Sequence, residues 1–269
     1  MPPAEIVGGQ VLLDGRDVLA MDEEGRRAVR GAEMAMVYQD PMTSLNPLMR
    51  VGEQIAEVLR AHGKSRREAE QRTVEVLADV GIPRPARAAR AYPHEFSGGM
   101  RQRVVIAMAL VLRPKVLIAD EPTTALDVTI QQQIIALVER LREEMSMAVV
   151  WVTHDLGVVA RVAQRLLVMY AGHVVEEGAT AEVFAAPEHP YTAGLLAAIP
   201  PVKGLERHRL RQIPGSPPDP ANLPGGCPFA PRCPYVVDRC RAEMPPLTDR
   251  SGSRAACWVA PADWDRVAL

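Results

Sequence analysis

Residues 96–127, FSGGMRQRVVIAMALVLRPKVLIADEPTTALD, decide the fold of this chain. The small residues Ser97-Gly98-Gly99 predict the start of a helix, and a long apolar run follows them. The next apolar segment, Val116–Ala119, predicts a buried strand that ends in two carboxylates, Asp120 and Glu121. Open α/β sheets bind ligands beyond the carboxyl ends of their strands. The stretch therefore predicts an α/β domain with an acidic site at the end of a strand.

The helix start and the carboxylate pair suit different components of a phosphate site: the helix start suits the phosphate, and the carboxylates suit a cation. A helix N-terminus presents free backbone N–H groups to an anion, and glycines allow the backbone to approach it closely. Adjacent ionised carboxylates at Asp120 and Glu121 repel each other unless a cation lies near them. The pattern indicates phosphate recognition beside a divalent metal ion and a general base.

Three motifs in this order resemble those of the nucleotide-binding subunits of ABC transporters. They are FSGGMRQR at 96–103, LIADEPTTALD at 117–127 and VTHD at 152–155. Two further phrases, PMTSLNP at 41–47 and HPYT at 189–192, are similar to the ATP-binding subunits of oligopeptide/dipeptide importers. The motifs are long, ordered and correctly spaced, which argues against a chance match. The resemblance covers nearly the whole chain, with a gap at the front.

The resemblance implies a P-loop NTPase-like (RecA-like) ABC nucleotide-binding domain over residues 1–199. A helical subdomain is inserted in it at about residues 42–112. From residue 200 the composition becomes rich in proline, so residues 200–269 are expected to form a loop-rich C-terminal extension that contains all four cysteines. PMTSLNP itself is expected to be a loop, because it has two prolines and Ser and Asn turn formers.

The resemblance also implies roles for individual residues in ATP binding and hydrolysis. Glu121 corresponds to the general base, His154 to the switch histidine that contacts the γ-phosphate, and Gln39 to the glutamine that reaches the metal and the attacking water. Asp120 corresponds to the aspartate that holds Mg²⁺ through its water shell. The residues implied to bind ATP and Mg²⁺ are Asp120, Gln39, Ser97, Gly98, Gly99, Gln102 and Asp127.

The implied partners are those of an importer for peptides or related solutes. They are a second ATP-binding subunit in a homo- or heterodimer, two membrane-spanning permease subunits and, indirectly, an extracytoplasmic solute-binding protein. The chain is expected to stay in the cytosol, because its N-terminus lacks the features of a signal peptide and no apolar stretch reaches 18 residues. The resemblance implies that it works at the cytoplasmic face of the membrane. A net charge of −2 gives no support for nucleic acid as the main partner, which argues against an ABC ATPase that acts on DNA or ribosomes.

The four cysteines, Cys227, Cys233, Cys240 and Cys257, predict a metal site rather than disulfides. Their wide spacing lacks the C-x2–4-C pairs that zinc sites favour, and it suits a [4Fe–4S] cluster. The resemblance points to the same cluster. Zinc and free or redox-active thiols remain the alternatives.

No Walker A motif, G-x-x-x-x-G-K-[ST], occurs in residues 1–269. The Gly-Lys-Ser at 63–65 has Val58 where the first glycine is needed and lies between two predicted helices, so it is expected to be a helix–helix connection. The sequence therefore predicts an N-terminally truncated domain. Either Met1 is an internal codon of a longer protein, or the chain is an impaired subunit that contributes only its signature motif to the ATP site of a partner.

Overall fold

The computed structural model describes residues 5–124, 126–199 and 212–264. The chain divides into two compact units, Met1–His154 and Asp155–Leu269. None of the helices in the described ranges is long and apolar enough to cross a lipid bilayer.

The first unit contains five strands and seven helices within its described residues. In chain order they are β1 (Leu12–Leu13), β2 (Arg16–Asp17), α1 (Glu23–Val29), β3 (Met34–Val37), α2 (Pro41–Ser44), α3 (Val51–Ala61), α4 (Arg66–Asp79), α5 (Pro85–Ala88), α6 (Gly98–Leu110), β4 (Val116–Asp120), α7 (Val128–Met145) and β5 (Ala148–Val152). Strands alternate with helices, as the α/β prediction requires.

Strands β3, β4 and β5 form one parallel sheet in that order, and β4 contains the predicted strand Val116–Ala119. Val37 pairs with Ala119, and Asp120 pairs with Val152, so the strands end at the same edge. The chain leaves this edge through Gln39, Glu121 and His154. The parallel register therefore brings together three residues that are distant in sequence.

The helical segment between Gln39 and Ser97 packs on the core through α3 and α4. Ser65 caps α4 with its side chain, and Glu68 completes a capping box, so the predicted Gly-Lys-Ser connection between two helices is confirmed. The expectation of a loop at 41–47 is wrong in part, because Pro41–Ser44 form one helical turn. The Ser44 peptide N–H and hydroxyl both donate to the Asp40 carbonyl, which closes the turn.

Helix α6 forms the centre of the hydrophobic core of this unit. Val104, Ile106, Ala107 and Leu110 have no exposed surface, and they pack with residues of β4 and α7. This burial explains the unbroken apolar run of the sequence, since a helix covered on most sides needs no polar face.

The second unit contains an antiparallel sheet and short helices in its described residues. In chain order they are α8 (Leu156–Val162), β6 (Arg165–Tyr170), β7 (His173–Ala179), α9 (Thr180–Ala185), α10 (Pro190–Ala197), α11 (Asp238–Ala242), β8 (Thr248–Asp249) and β9 (Ser253–Ala255). Strands β6 and β7 pair in antiparallel fashion and form a hairpin. Strand β9, which lies beyond residue 200, pairs with β7 and extends the same sheet in the order β6-β7-β9-β8.

Candidate active site at the strand ends

Glu121 is the residue on which the strand-end site converges. Its Oε2 accepts hydrogen bonds from the Gln39 amide at 2.8 Å and from the Thr124 hydroxyl at 2.9 Å. Its Oε1 lies 3.0 Å from Nδ1 of His154. The structure therefore brings together the three predicted catalytic residues and adds Thr124. Sequence reasoning gave Thr124 no role, although it lies three residues after Glu121 in the quoted motif.

The backbone of Glu121 is in the left-handed region, with φ of +44°. This conformation is uncommon for a residue with a side chain, and such strain is concentrated at functional sites. The Glu121 peptide N–H donates to the Val152 carbonyl at 2.9 Å, which anchors the turn to the end of β5. The strained turn thus redirects the Glu121 side chain from the sheet toward Gln39 and His154.

The hydrogen bonds hold Glu121 in its ionised form. The bond from His154 is the main cause that lowers the pKa of this carboxyl, followed by the bond from Thr124, while burial acts in the opposite direction. An ionised carboxylate only accepts hydrogen bonds, so the His154 proton lies on Nδ1. A carboxylate has about four lone-pair positions. Three donors leave room for one more, which a water molecule can occupy.

Asp120 is the last residue of β4 and is half-buried. Its carboxylate has no hydrogen-bond partner among the described residues, unlike the adjacent Glu121. Carboxylate oxygens at a strand end, next to an amide such as Gln39, are the donors that Mg²⁺ prefers. These residues therefore fit a magnesium ion.

The predicted signature residues open helix α6. Ser97 is the N-cap, and its hydroxyl accepts the peptide N–H of Met100; Gly98 and Gly99 form the first turn. Asp127 caps α7 in the same way by accepting the N–H of Ile130 at 2.9 Å. Gln102 is 1% exposed and lies on the buried side of α6. The roles of Gln102 and Asp127 in nucleotide binding stay predictions.

The four cysteines converge in the second unit. Cys227, Cys233, Cys240 and Cys257 are free thiols that line one small cavity, whose other walls include Phe229 and Trp258. Burial raises the pKa of Cys233 to about 12 and that of Cys257 to about 11, so both thiols are protonated when no cation is near. The described residues contain no group of three or more His, Cys, Asp or Glu side chains arranged to hold a metal ion.

Two residues to which the sequence analysis gave no role are connected with this cavity. One lines it, and the other accepts a hydrogen bond from the backbone of the first. His189 is 1% exposed and lines the cavity. Burial lowers the pKa of His189 to about 4, so the ring is neutral. Glu176 of β7 has no exposed surface and accepts the peptide N–H groups of Glu188 at 2.8 Å and His189 at 3.0 Å, and the Ser253 hydroxyl at 3.0 Å.

Two family models match the chain. Residues 3–124 match the model described as ABC transporter, and residues 175–240 match the model described as oligopeptide/dipeptide transporter, C-terminal region. The oligopeptide transport ATP-binding protein OppD of Bacillus subtilis is 52% identical over 269 aligned residues, which cover 99% of this chain and 75% of that protein. The dipeptide transport ATP-binding protein DppD of Escherichia coli is 48% identical, with 97% and 80% covered. This chain belongs to the ATP-binding subunits of oligopeptide/dipeptide ABC transporters.

Solved structures of ABC ATPases share the fold. The ATP-binding cassette MJ0796, in a dimeric post-hydrolysis state bound to ADP and Pi, is 30% identical with a TM-score of 0.57 and covers 65% of this chain and 74% of its own. The cbiO1 subunit of the cbiONQ transporter of Clostridium perfringens is 28% identical with a TM-score of 0.58, covering 66% and 69%. The ABC nucleotide-binding fold that the sequence predicted is confirmed.

Gly99 is expected to be the less replaceable of the two signature glycines. A Cβ at Gly99 would lie 2.7 Å from Cγ2 of Ile130 on α7, whereas a Cβ at Gly98 would meet no atom nearer than 3.9 Å. Ile130 is branched at Cβ, so relief requires a rotamer change or a backbone shift. Gly99→Ala should destabilise the fold by about 1–3 kcal/mol, measured by urea denaturation. Gly98→Ala is the matched control, and equal stability of the two variants would contradict the packing argument.

Removing His154 is expected to shift the pH dependence of ATP hydrolysis. Because the His154 hydrogen bond lowers the pKa of Glu121, its loss raises that pKa, and the base becomes protonated at a higher pH. The acid limb of the ATPase pH–rate profile of His154→Ala should therefore lie at higher pH than in the wild type. His154→Asn places an amide donor near the Nδ1 position, and its profile should lie closer to the wild type. Coincident acid limbs in all three proteins would refute this assignment.

Proposed function

We infer that this chain is the ATP-hydrolysing subunit that energises an ABC importer for peptides or related solutes. The observation that carries this inference is the Glu121 carboxylate, held by Gln39, Thr124 and His154 where three parallel strands end. The relatives named as oligopeptide and dipeptide transport ATP-binding proteins support the class of solute.

In this mechanism Glu121 orients the attacking water and accepts its proton. Gln39 and Thr124 fix Oε2, so the free lone pair of the carboxylate has a defined direction. His154 holds Oε1 through Nδ1 and leaves its exposed Nε2 edge for the γ-phosphate. Mg²⁺, held by Asp120 and the Gln39 amide, would neutralise charge that develops on the phosphates.

The signature turn at Ser97-Gly98-Gly99 is proposed to bind the γ-phosphate of ATP that a second ATP-binding subunit holds. The N-cap geometry of Ser97 and the two glycines supports this role, because a helix N-terminus attracts an anion. The dimeric post-hydrolysis state of the MJ0796 cassette, bound to ADP and Pi, supports a dimer of ATP-binding subunits.

A groove of about 680 Å³ in the first unit is the proposed docking place of a permease subunit on the cytoplasmic face of the membrane. It is lined by Ser44, Asn46 and Met49, which follow Gln39 along the chain, and by Glu57 and His62 of the α3 region. A partner in this groove would contact the segment that leads directly to the catalytic glutamine. Motion at the ATP site would thereby reach the permease.

We further propose that the four cysteines hold a [4Fe–4S] cluster with a structural role. Structural zinc sites favour C-x2–4-C pairs, and the spacing of these four cysteines contains none. In a cluster each thiolate binds a different iron atom, so the sulfurs lie farther apart. The raised pKa of the half-buried Cys233 and Cys257 thiols argues against reactive free thiols. Their convergence on one cavity supports the cluster.

Reconstitution tests the proposed function. The chain, a partner ATP-binding subunit, the permeases and a solute-binding protein are placed in vesicles, and ATP hydrolysis is measured with uptake of a labelled peptide. Both should require Mg²⁺-ATP inside the same compartment as the chain. ATP hydrolysis without peptide uptake, across a peptide library, would overturn the importer assignment.

Anaerobic purification tests the cluster. The wild-type chain should contain about four iron atoms and four sulfides per chain, and Cys240→Ser should lose most of both. Stoichiometric zinc, or protein without metal after anaerobic reconstitution with iron and sulfide, would overturn the cluster.

Gly226→Ala is expected to disrupt the cysteine cavity. A Cβ at Gly226 would collide with the backbone carbonyl oxygen of Cys240 and with the backbone of Arg241, whereas a Cβ at Gly225 would meet nothing within 4 Å. The collision would break the hydrogen bond from the Cys227 N–H to the Cys240 carbonyl, which is 2.8 Å long. Gly226→Ala should therefore lose most of its bound iron, and Gly225→Ala should keep it. Equal iron contents in the two variants would contradict the argument that close packing at Gly226 maintains the cavity.

A further inference from the structure

The side chain of Gln54 connects two of the segments that line the groove proposed for the permease. One segment contributes Asn46 and Met49 to the groove, and helix α3 contributes Glu57. Gln54 belongs to α3, is 4% exposed and lines the same groove. Its amide reaches the backbone of the first segment, so it ties residues 46–49 to the helix.

This tie consists of three hydrogen bonds to backbone groups. The Oε1 atom of Gln54 accepts the Asn46 peptide N–H at 2.9 Å, and Nε2 donates to the carbonyl oxygens of Asn46 and Met49, both at 3.0 Å. An amide oxygen only accepts and an amide nitrogen only donates, so one orientation of the side chain satisfies all three partners. Because the partners are backbone groups, Gln54 fixes the path of the chain itself.

The tied segment leads back to the strand-end site without an unsupported loop. Ser44 donates to the Asp40 carbonyl through its peptide N–H at 3.2 Å and its hydroxyl at 2.8 Å. Leu45 is 4% exposed and packs in the hydrophobic core. Asp40 directly follows Gln39, whose amide donates to Glu121 at 2.8 Å. The chain therefore has a fixed course from the catalytic carboxylate to the groove.

We propose that Gln54 is a positioning residue for coupling, which holds residues 46–49 on α3 so that a permease in the groove and Gln39 at the ATP site move together. The inference rests on the permease docking proposed above. Breaking the three bonds would leave buried backbone groups unpaired, which is costly, so the tie resists displacement. Without the tie, residues 46–49 could follow the permease while Gln39 stays in place. ATP would then be hydrolysed without driving uptake.

Gln54→Met tests this role, because Met keeps the length of the side chain and removes all three hydrogen bonds. Peptide uptake and ATP hydrolysis are measured in the assembled transporter, and we expect uptake per ATP hydrolysed to fall several-fold. Gln71→Met, at an exposed position on α4, is the matched control and should keep the wild-type ratio.

The ratio separates coupling from a general structural effect. An unchanged ratio in Gln54→Met, or uptake and hydrolysis that fall in equal proportion, would overturn the inference while the proposed function stands. A wild-type transporter that hydrolyses ATP without uptake of any peptide would instead overturn the proposed function.

Amide hydrogen exchange tests the tie itself and does not depend on transport. The Asn46 amide should be protected in the wild type and should exchange about tenfold faster or more in Gln54→Met, because it loses its acceptor. The Gly52 amide, which donates to the Ala89 carbonyl at 2.9 Å, should stay protected in both proteins and report an intact start of α3. An unprotected Asn46 amide in the wild type, or equal protection in the two proteins, would contradict the tie.

Discussion

A transporter that carries Glu121→Gln should hydrolyse ATP about 10²–10⁴-fold more slowly than the wild type, which is the range that a general base contributes. Gln keeps the shape and one acceptor oxygen, but it has no basic oxygen for the proton of the attacking water. It also places an NH₂ group where either His154 or the Gln39 and Thr124 pair now donates. Steady-state phosphate release at saturating ATP measures this loss.

Glu24→Gln provides the control for the loss of one negative charge. Glu24 is exposed in α1, far in sequence from the strand-end site, and its substitution should leave the ATPase rate unchanged. The affinity for ATP should also stay close to the wild type in Glu121→Gln, because the base acts on water rather than on the nucleotide. A Glu121→Gln rate within a factor of a few of the Glu24→Gln rate would contradict the assignment of the base.

The second large effect is expected at Glu176, where Glu176→Gln should destabilise the second unit by about 2–4 kcal/mol. The wild-type carboxylate accepts from two peptide N–H groups and the Ser253 hydroxyl in a fully buried site. Hydrogen bonds to charged groups contribute about 1.5–3 kcal/mol, and an unsatisfied buried donor costs about 1–3 kcal/mol. The amide NH₂ of Gln would face at least one donor, so at least one bond is lost and replaced by a repulsive contact.

Amide hydrogen exchange locates this effect. The Glu188 and His189 amides should lose protection in Glu176→Gln by a factor that matches the loss of stability. Glu182→Gln removes the same charge from an exposed position on α9 and should leave both amides protected. Unchanged protection at Glu188 and His189 in Glu176→Gln would show that the carboxylate does not hold them.

The place where Gln39, Glu121 and His154 meet could be predicted because local patterns mark the ends of the strands, whereas their catalytic roles came from the family resemblance. The apolar strand segments ahead of Gln39, Glu121 and His154 are each four or five residues long, and each ends one or two residues before the functional residue. Once the strands are parallel, their ends must meet, so the order of the motifs is enough to assemble the site. Ser97 and Ser65 were likewise predictable, since capping depends on neighbours within three residues.

The interactions that the sequence did not reveal are long-range and involve single polar side chains. The hydrogen bond between Ser253 and Glu176 joins residues 77 positions apart, and no periodic pattern marks either of them. The pairing of β9 with β7 was missed because β9 has only three residues and lies in a proline-rich segment. His189 was noticed only as part of the HPYT phrase, and its position in the cysteine cavity depends on the tertiary packing around Phe229.

The fate of bound nucleotide in Glu121→Gln tests the central claim most directly. The assembled transporter is incubated with labelled ATP and Mg²⁺, free nucleotide is removed, and the bound nucleotide is separated into ATP and ADP. If Glu121 is the general base of hydrolysis, the variant retains intact ATP while the wild type retains ADP or releases it. Bound ADP in the variant, formed at the wild-type rate, would contradict the account.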